Sequence, residues 1–234
     1  MDQNIKVAVL DLYDGDANEG MRCIHDILSR FSESISYREF DVRGKSELPE
    51  IRDFDLFIST GGPGNPLEGD GVWDLKYNDF LDQVWIWNQN HSRKKYLLLI
   101  CHSFQMACKH FGLGEITKRK STSFGVMTVH KTADGIHDEL FQNLANPFWA
   151  VDSRDFQVVQ PNPRKFRHLG AKIIALEKRI VKVTITWRFP KNRQNNEKRT
   201  FSAENPSNKI IFPVRAAMRI IFRARRLNQP DHLP

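Results

Sequence analysis

Apolar residues in this chain occur in short runs separated by polar, turn-rich segments. Runs of this length are too short for buried helices and predict strands that are buried on both faces of a sheet. In the first half of the chain these predicted strands are Ile5–Leu12, Ile35–Val42, Asp55–Ser59 and Leu97–Ile100.

Between these runs the apolar spacing changes to that of a helix. Met21, Ile24, Leu28 and Phe31 share one helical face, and Asp79–Asn88 and His102–Phe111 have the same periodicity. Strands that alternate with helices in this way predict an α/β fold. The expected architecture is a doubly wound, mostly parallel sheet with helices on both faces, in a flavodoxin-like three-layer arrangement.

Strand patterns continue in the second half of the chain, with less helix between them. Asp138–Leu144 predicts a short helix, whereas Pro161 and Pro163 predict a loop. The predicted strands are Glu115–Lys118, Ser123–His130, Phe148–Asp152 and Ala171–Glu177.

Cys101 lies where a predicted strand, Leu97–Ile100, meets a predicted helix, His102–Phe111. A thiol at the start of a helix lies near unpaired N–H groups and the positive end of the helix dipole. This position favours the thiolate, which is the nucleophilic form. The pattern also allows a plain buried strand that ends in a core cysteine.

A glycine-rich segment, Gly61-Gly62-Pro63-Gly64, directly follows the strand Asp55–Ser59 and Thr60. Glycines at the end of a strand expose backbone N–H groups without side-chain cover, and such a nest can stabilise an oxyanion. Alone, the segment is typical of a tight turn.

Together the two segments resemble class I glutamine amidotransferases, and in particular proteins similar to the amidotransferase domain of GMP synthetase. That family has a Gly-x-Cys-x-Gly-x-Gln nucleophile elbow and a Gly-Gly-Pro-Gly loop after the strand that precedes it. Cys101 and Gln105 match the elbow, while Leu99 and Ser103 replace its glycines. The resemblance covers about residues 1–180.

The resemblance implies a role for each matching residue. Cys101 would attack the side-chain amide of glutamine, and the backbone N–H groups of Gly62 and His102 would hold the oxyanion. The remaining implied contacts to substrate are Gly61, Gly64, Gln105 and Ser153, the last of which lies in a stretch where the family has a Ser-His-x-Asp-x-Val-like sequence. No cofactor or metal is implied, and the ammonia would pass to a synthetase partner.

The family's His-Pro-Glu motif, which supplies the histidine and its carboxylate, does not occur in this sequence. Amide cleavage by a thiol also requires proton transfer to the leaving amine. Two alternatives therefore remain open. One is a catalytically impaired binding protein, and the other is a related cysteine hydrolase of a different γ-glutamyl or amide substrate.

The net charge of +7 is unevenly distributed, which predicts a boundary at about residue 180. Residues 1–180 hold 23 basic and 25 acidic residues, whereas residues 181–234 hold 12 and 3. The C-terminal segment contains a possible strand, Val181–Trp187, and a possible basic helix, Val214–Leu227. A solvated or disordered tail is favoured over binding to nucleic acid or anionic lipid. An out-of-frame or substituted C-terminus is a further hypothesis.

The three cysteines, Cys23, Cys101 and Cys108, are odd in number and lack metal-ligand spacing. This pattern favours the reducing cytoplasm over a disulfide framework. No apolar run approaches the roughly 20 residues of a membrane-spanning helix, so we expect no membrane partner.

Overall fold

The computed structural model describes residues 4–177 and 218–219. Its main sheet has the strand order β2-β1-β3-β4-β8, in which the first four strands are parallel. The fifth strand pairs antiparallel with β4. The bounds are β1 (Ile5–Asp11), β2 (Ile35–Asp41), β3 (Leu56–Ser59), β4 (Tyr96–Leu99) and β8 (Met218–Arg219).

Three helices follow strands of this sheet, namely α1 (Glu19–Ser29), α2 (Trp73–Asn90) and α3 (His102–His110). Asn18 caps α1 by accepting a hydrogen bond from the N–H of Met21. Helix α2 begins at Trp73, earlier than the predicted segment Asp79–Asn88. The mixed α/β fold with a parallel sheet and helices is therefore as the sequence predicted.

The side chains of β1 contribute to two apolar clusters, because successive residues of a strand point to opposite faces. Ala8 and Leu10 belong to the larger cluster, which includes side chains of α2 and α3. Val7 and Val9 pack in a second cluster with Ile24 and Leu28 of α1 and Ile58 of β3. Both faces of β1 are therefore buried, as its continuous apolar run predicted.

A second sheet is antiparallel and has the order β6-β5-β7. Its strands are β5 (Glu115–Lys131), β6 (Phe148–Val159) and β7 (Ala175–Glu177). The predicted strands Glu115–Lys118 and Ser123–His130 are both present, but they are parts of one strand, β5, with a register shift between Lys118 and Ser123. Strand β6 is longer than predicted, and β7 is shorter.

Short helices complete the described residues. Helix α4 (Ala133–Ile136) follows β5, and α5 (Pro163–Leu169) follows β6. Pro161 lies in a loop, as predicted, whereas Pro163 occupies the first turn of α5, which Asn162 caps. The predicted helix Asp138–Leu144 is reduced to a 3-10 turn at Glu139–Phe141, and another such turn spans Ile51–Asp53.

Most of the C-terminal segment lies outside the described residues, including the predicted strand Val181–Trp187. Two residues of the predicted basic helix Val214–Leu227 instead form β8, which pairs Leu98 with Arg219 and Leu99 with Met218. The division of the chain at about residue 180 stays a prediction. In the described part of the chain, no helix has the length and apolarity needed to cross a membrane.

Candidate active site

Cys101 occupies a strained turn between β4 and α3. Its backbone has φ 51° and ψ −101°, a conformation that residues other than glycine rarely adopt. Such a conformation costs on the order of 1–3 kcal/mol and persists only where surrounding contacts enforce it. The sharp strand-to-helix corner predicted for Cys101 is therefore present.

Ser103 supplies one of these contacts. Its hydroxyl donates to the carbonyl of Ser59 at 2.9 Å and accepts from the N–H of Ile100 at 3.0 Å, which joins the turn to the end of β3. Leu99 is 1% exposed and packs in the main apolar cluster. Both residues that replace the elbow glycines thus fit the turn.

The turn opens on a cleft of about 190 Å³. Of the residues predicted to form a site, six line this cleft, and Gly61 lies directly beside it. A Cβ atom built at Gly61 would lie 3.6 Å from the Cβ of Cys101. The lining residues are Gly62, Pro63, Gly64, Cys101, His102, Gln105, Thr122, Ser153, Arg154, Asp155 and Phe156.

In the glycine-rich segment, called the glycine loop below (residues 61–64), the first two glycines pack too closely for side chains. A Cβ at Gly62 would lie 2.5 Å from the carbonyl oxygen of Leu12, and one at Gly61 would lie 2.9 Å from the Oη of Tyr13. Gly64 has φ +84°, a conformation that favours glycine. The loop therefore faces the cleft with backbone atoms.

Gln105 lies on α3 and Ser153 on β6, and both line the cleft. The Nε2 of Gln105 donates to the carbonyl of Phe156 at 3.0 Å, so this buried side chain ties α3 to β6. Ser153 is an exposed residue of β6. The predicted strand Phe148–Asp152 ends just before Ser153, which was wrong, because β6 continues through Ser153 to Val159.

The protonation of Cys101 differs from the sequence prediction. Burial raises the pKa of the Cys101 thiol above its ordinary value, and the carboxylate of Asp152 adds to this. The guanidinium of Arg154 and the N–H of His102 lower the pKa, but burial outweighs both. The expectation that the helix start would favour the thiolate was therefore wrong for the resting site, because desolvation is the larger effect.

His102 is 2% exposed and, within the part of the chain that the structure describes, its Nε2 has no hydrogen-bond partner. Burial, with a smaller contribution from the charge of Arg43, lowers the pKa of His102 to about 4. The ring is therefore neutral at pH 7. It is too weakly basic to take a proton readily from a thiol whose pKa is raised.

A buried ionic network, which the sequence analysis missed, lies against the cleft at Arg154. Its guanidinium pairs with the carboxylate of Asp152 at 2.8 Å and lies 3.7 Å from Glu177 of β7. Ser123 donates to Asp152 at 2.7 Å, and Arg119 pairs with Glu177 at 3.4 Å. The network holds two cations and two anions, so its charges balance beside the thiol.

Tyr13 and Arg43 are two further residues beside the candidate site that were not predicted from the sequence. The Tyr13 phenol lies against Gly61, and burial together with the nearby Cys101 raises its pKa to about 12. Arg43 contacts the glycine loop. Both residues directly follow parallel strands, whose carboxyl ends meet at one edge of a sheet, and that signal could have identified them. Among the described residues, no three His, Cys, Asp or Glu side chains converge as a metal site would require.

Comparisons with known proteins support this fold. A glutamine amidotransferase from Thermotoga maritima is similar over 68% of this chain and 64% of its own, with 18% identity and a TM-score of 0.54. The glutaminase domain of Trypanosoma brucei CTPS, solved with bound acivicin, matches over 77% of this chain and 80% of that domain, with 12% identity and a TM-score of 0.52. The protein SMU.1228c matches over 74% and 68%, with 16% identity and a TM-score of 0.53.

No protein-family model matches the sequence, and no curated protein is similar to it. The structural likeness therefore shows the fold alone. This chain has a class I glutamine amidotransferase-like fold, as its sequence predicted.

Proposed function

We propose that this chain hydrolyses the side-chain amide of glutamine through a thioester on Cys101. The observation that carries the proposal is the strained turn, which presents Cys101 to a cleft whose facing wall is the glycine loop. A nucleophile at such a turn, opposite backbone N–H groups, is the arrangement that acyl transfer requires. We also propose that the main sheet is doubly wound, with helices on both of its faces in a three-layer arrangement.

In the first step the Sγ of Cys101 attacks the side-chain carbonyl carbon of glutamine, and the carbonyl oxygen becomes an oxyanion. The backbone N–H groups of Gly62 and His102 hold this oxyanion. The bond from carbon to nitrogen then breaks, and ammonia leaves with the proton that the thiol gave up. Glutamyl thioester and ammonia are the products of this step.

In the second step water attacks the thioester, which releases glutamate and restores the thiol. Gly61 and Gly64 shape the loop around the substrate, and Ser153 binds the amino-acid end of glutamine. Gln105 holds β6, the strand that carries Ser153, in position. The ammonia passes to a synthetase partner, as in GMP synthesis. We place the protein in the cytoplasm, where the thiol of Cys101 stays reduced.

A second function, the binding of glutamine without turnover, is favoured by one specific observation. The thiol of Cys101 has a raised pKa, while the only histidine lining the cleft among the described residues, His102, has a pKa lowered to about 4. In this case Cys101 would form the thioester slowly or not at all, and the chain would act through a bound partner.

A glutamine-analogue electrophile, 6-diazo-5-oxo-norleucine, separates these functions. We expect intact-mass spectrometry to show one adduct on the full chain, lost in Cys101→Ala and retained in Cys108→Ala, the buried control. Steady ammonia release from glutamine supports hydrolysis, whereas calorimetric binding of glutamine without ammonia supports the second function. Absence of adduct, ammonia and binding would refute both, and a profile of other γ-glutamyl amides would then reveal a different substrate.

A further inference from the structure

Arg43 joins three turns at the edge of the sheet that carries the candidate site. It lies just beyond the end of β2, and its Nη1 donates to the carbonyl of Pro63 at 2.8 Å and to that of Leu12 at 3.4 Å. The guanidinium also lies 5.0 Å from the centre of the Trp73 ring, where a cation–π contact orients it. One side chain thus links the segments that follow β1, β2 and β3.

The bond to Pro63 determines the direction of a neighbouring N–H group. The carbonyl of Pro63 and the N–H of Gly64 belong to one planar trans peptide, so they point in opposite directions. Pro63 and Gly64 line the cleft, whereas Arg43 does not. Because the carbonyl is turned to Arg43, the N–H of Gly64 points away from Arg43.

Arg43 also restrains the preceding part of the loop. A Cβ at Gly62 would lie 3.4 Å from its Nη1, so the guanidinium packs directly against this glycine. Glycines have the largest conformational freedom of all residues, and a loop built from them keeps one shape only if outside contacts fix it. The guanidinium supplies two such contacts, the hydrogen bond to the carbonyl of Pro63 and the packing against Gly62.

We propose that Arg43 is a positioning residue that holds the glycine loop with its N–H groups toward Cys101, and that Gly64 N–H joins the oxyanion-binding donors. The inference rests on the proposed amide hydrolysis for its kinetic consequence, but the loop geometry is testable without it.

Variants Arg43→Ala and Arg43→Lys of the full chain test the proposal, with Arg38→Ala as the matched control. Arg38 lies on β2 and places its guanidinium 5.1 Å from the Phe40 ring, but it does not contact the loop. We expect Arg43→Ala to lower kcat for glutamine by about 10- to 100-fold with KM changed less than threefold. Added methylguanidinium should restore part of the kcat, and Arg43→Lys should fall between Arg43→Ala and the wild type.

Two readouts do not depend on turnover. Alkylation of Cys101 by iodoacetamide, which needs no oxyanion donor, should stay within about twofold in both variants. The backbone ¹⁵N order parameters of Gly62 and Gly64, measured by NMR, should fall from about 0.85 to below about 0.6 in Arg43→Ala and stay unchanged in Arg38→Ala.

Unchanged order parameters at both glycines would overturn the proposal, whatever the kinetics. Lower order parameters in a chain that releases no ammonia would uphold the loop contact and place the failure in the proposed hydrolysis. A loss of kcat that methylguanidinium does not restore, and that Arg38→Ala shares, would show general destabilisation and refute positioning.

Discussion

Gly62→Ala is the substitution whose effect follows most directly from the geometry of the site. The added Cβ would lie 2.5 Å from the carbonyl oxygen of Leu12, whereas ordinary contact begins at 3.4 Å. The two backbone segments must therefore separate by about 0.9 Å, since the clash involves no flexible side chain. Gly62 is the residue expected to donate its N–H to the oxyanion.

A displacement of about 1 Å at a reacting group costs on the order of 100-fold in rate, and the loss of one oxyanion donor costs about 100- to 1,000-fold. We therefore expect kcat for glutamine hydrolysis to fall about 100-fold, which corresponds to about 2.7 kcal/mol of transition-state stabilisation. The free energy of unfolding should fall by about 1–3 kcal/mol. Iodoacetamide alkylation of Cys101 should change less than about threefold, because the thiol does not move with the loop.

Gly114→Ala is the matched control. Its Cβ would lie 2.8 Å from the carbonyl oxygen of Val159, a similar backbone clash, but Gly114 does not line the cleft. This variant should lose stability in urea denaturation and keep its kcat. A Gly62→Ala protein that retains kcat within threefold, or a Gly114→Ala protein that loses it equally, would refute the reasoning.

Two further predictions concern charge. Because burial lowers the pKa of His102 to about 4, the unfolded chain takes up the proton first as the pH falls from 6.5, so stability is lost between pH 6.5 and 4. Urea denaturation should show the wild type losing about 3 kcal/mol more than His102→Gln between pH 7 and pH 4, and parallel curves would contradict this. Arg154 lowers the pKa of Cys101 and Asp152 raises it, so iodoacetamide alkylation at pH 8 should slow by about threefold or more in Arg154→Gln and accelerate in Asp152→Asn. Changes of the same sign in the two variants would point to structural damage instead of electrostatics.

The elements that set the fold could be predicted because their signals are local. The apolar runs of β1, β3 and β4 each carry the pattern of a buried strand, and Cys101 follows one of them directly. The placement of the glycine loop opposite Cys101 follows from the parallel pairing of β3 and β4, since their carboxyl ends meet at one edge.

Other features depend on contacts between distant segments. Arg154 and Glu177 lie on β6 and β7, the two strands that flank β5 in the second sheet, and their side chains approach each other there. No spacing along the sequence indicates this pairing. The protonation of Cys101 was mispredicted for the same reason. The start of α3 is visible in the sequence, whereas the degree of burial that raises the pKa comes from the whole fold. Helix α5 was missed because prolines that usually end a helix can also begin one.

The strained backbone at Cys101 also affects the free energy of folding. A conformation that costs on the order of 1–3 kcal/mol is a substantial fraction of a typical folding free energy of about 5–15 kcal/mol. A glycine at position 101, or a relaxed turn, would avoid this cost, so a strained cysteine is unexpected where the thiol has no function. The strain at this one residue therefore lowers the stability of the folded chain, and the proposed attack of the Cys101 thiol on glutamine would account for it.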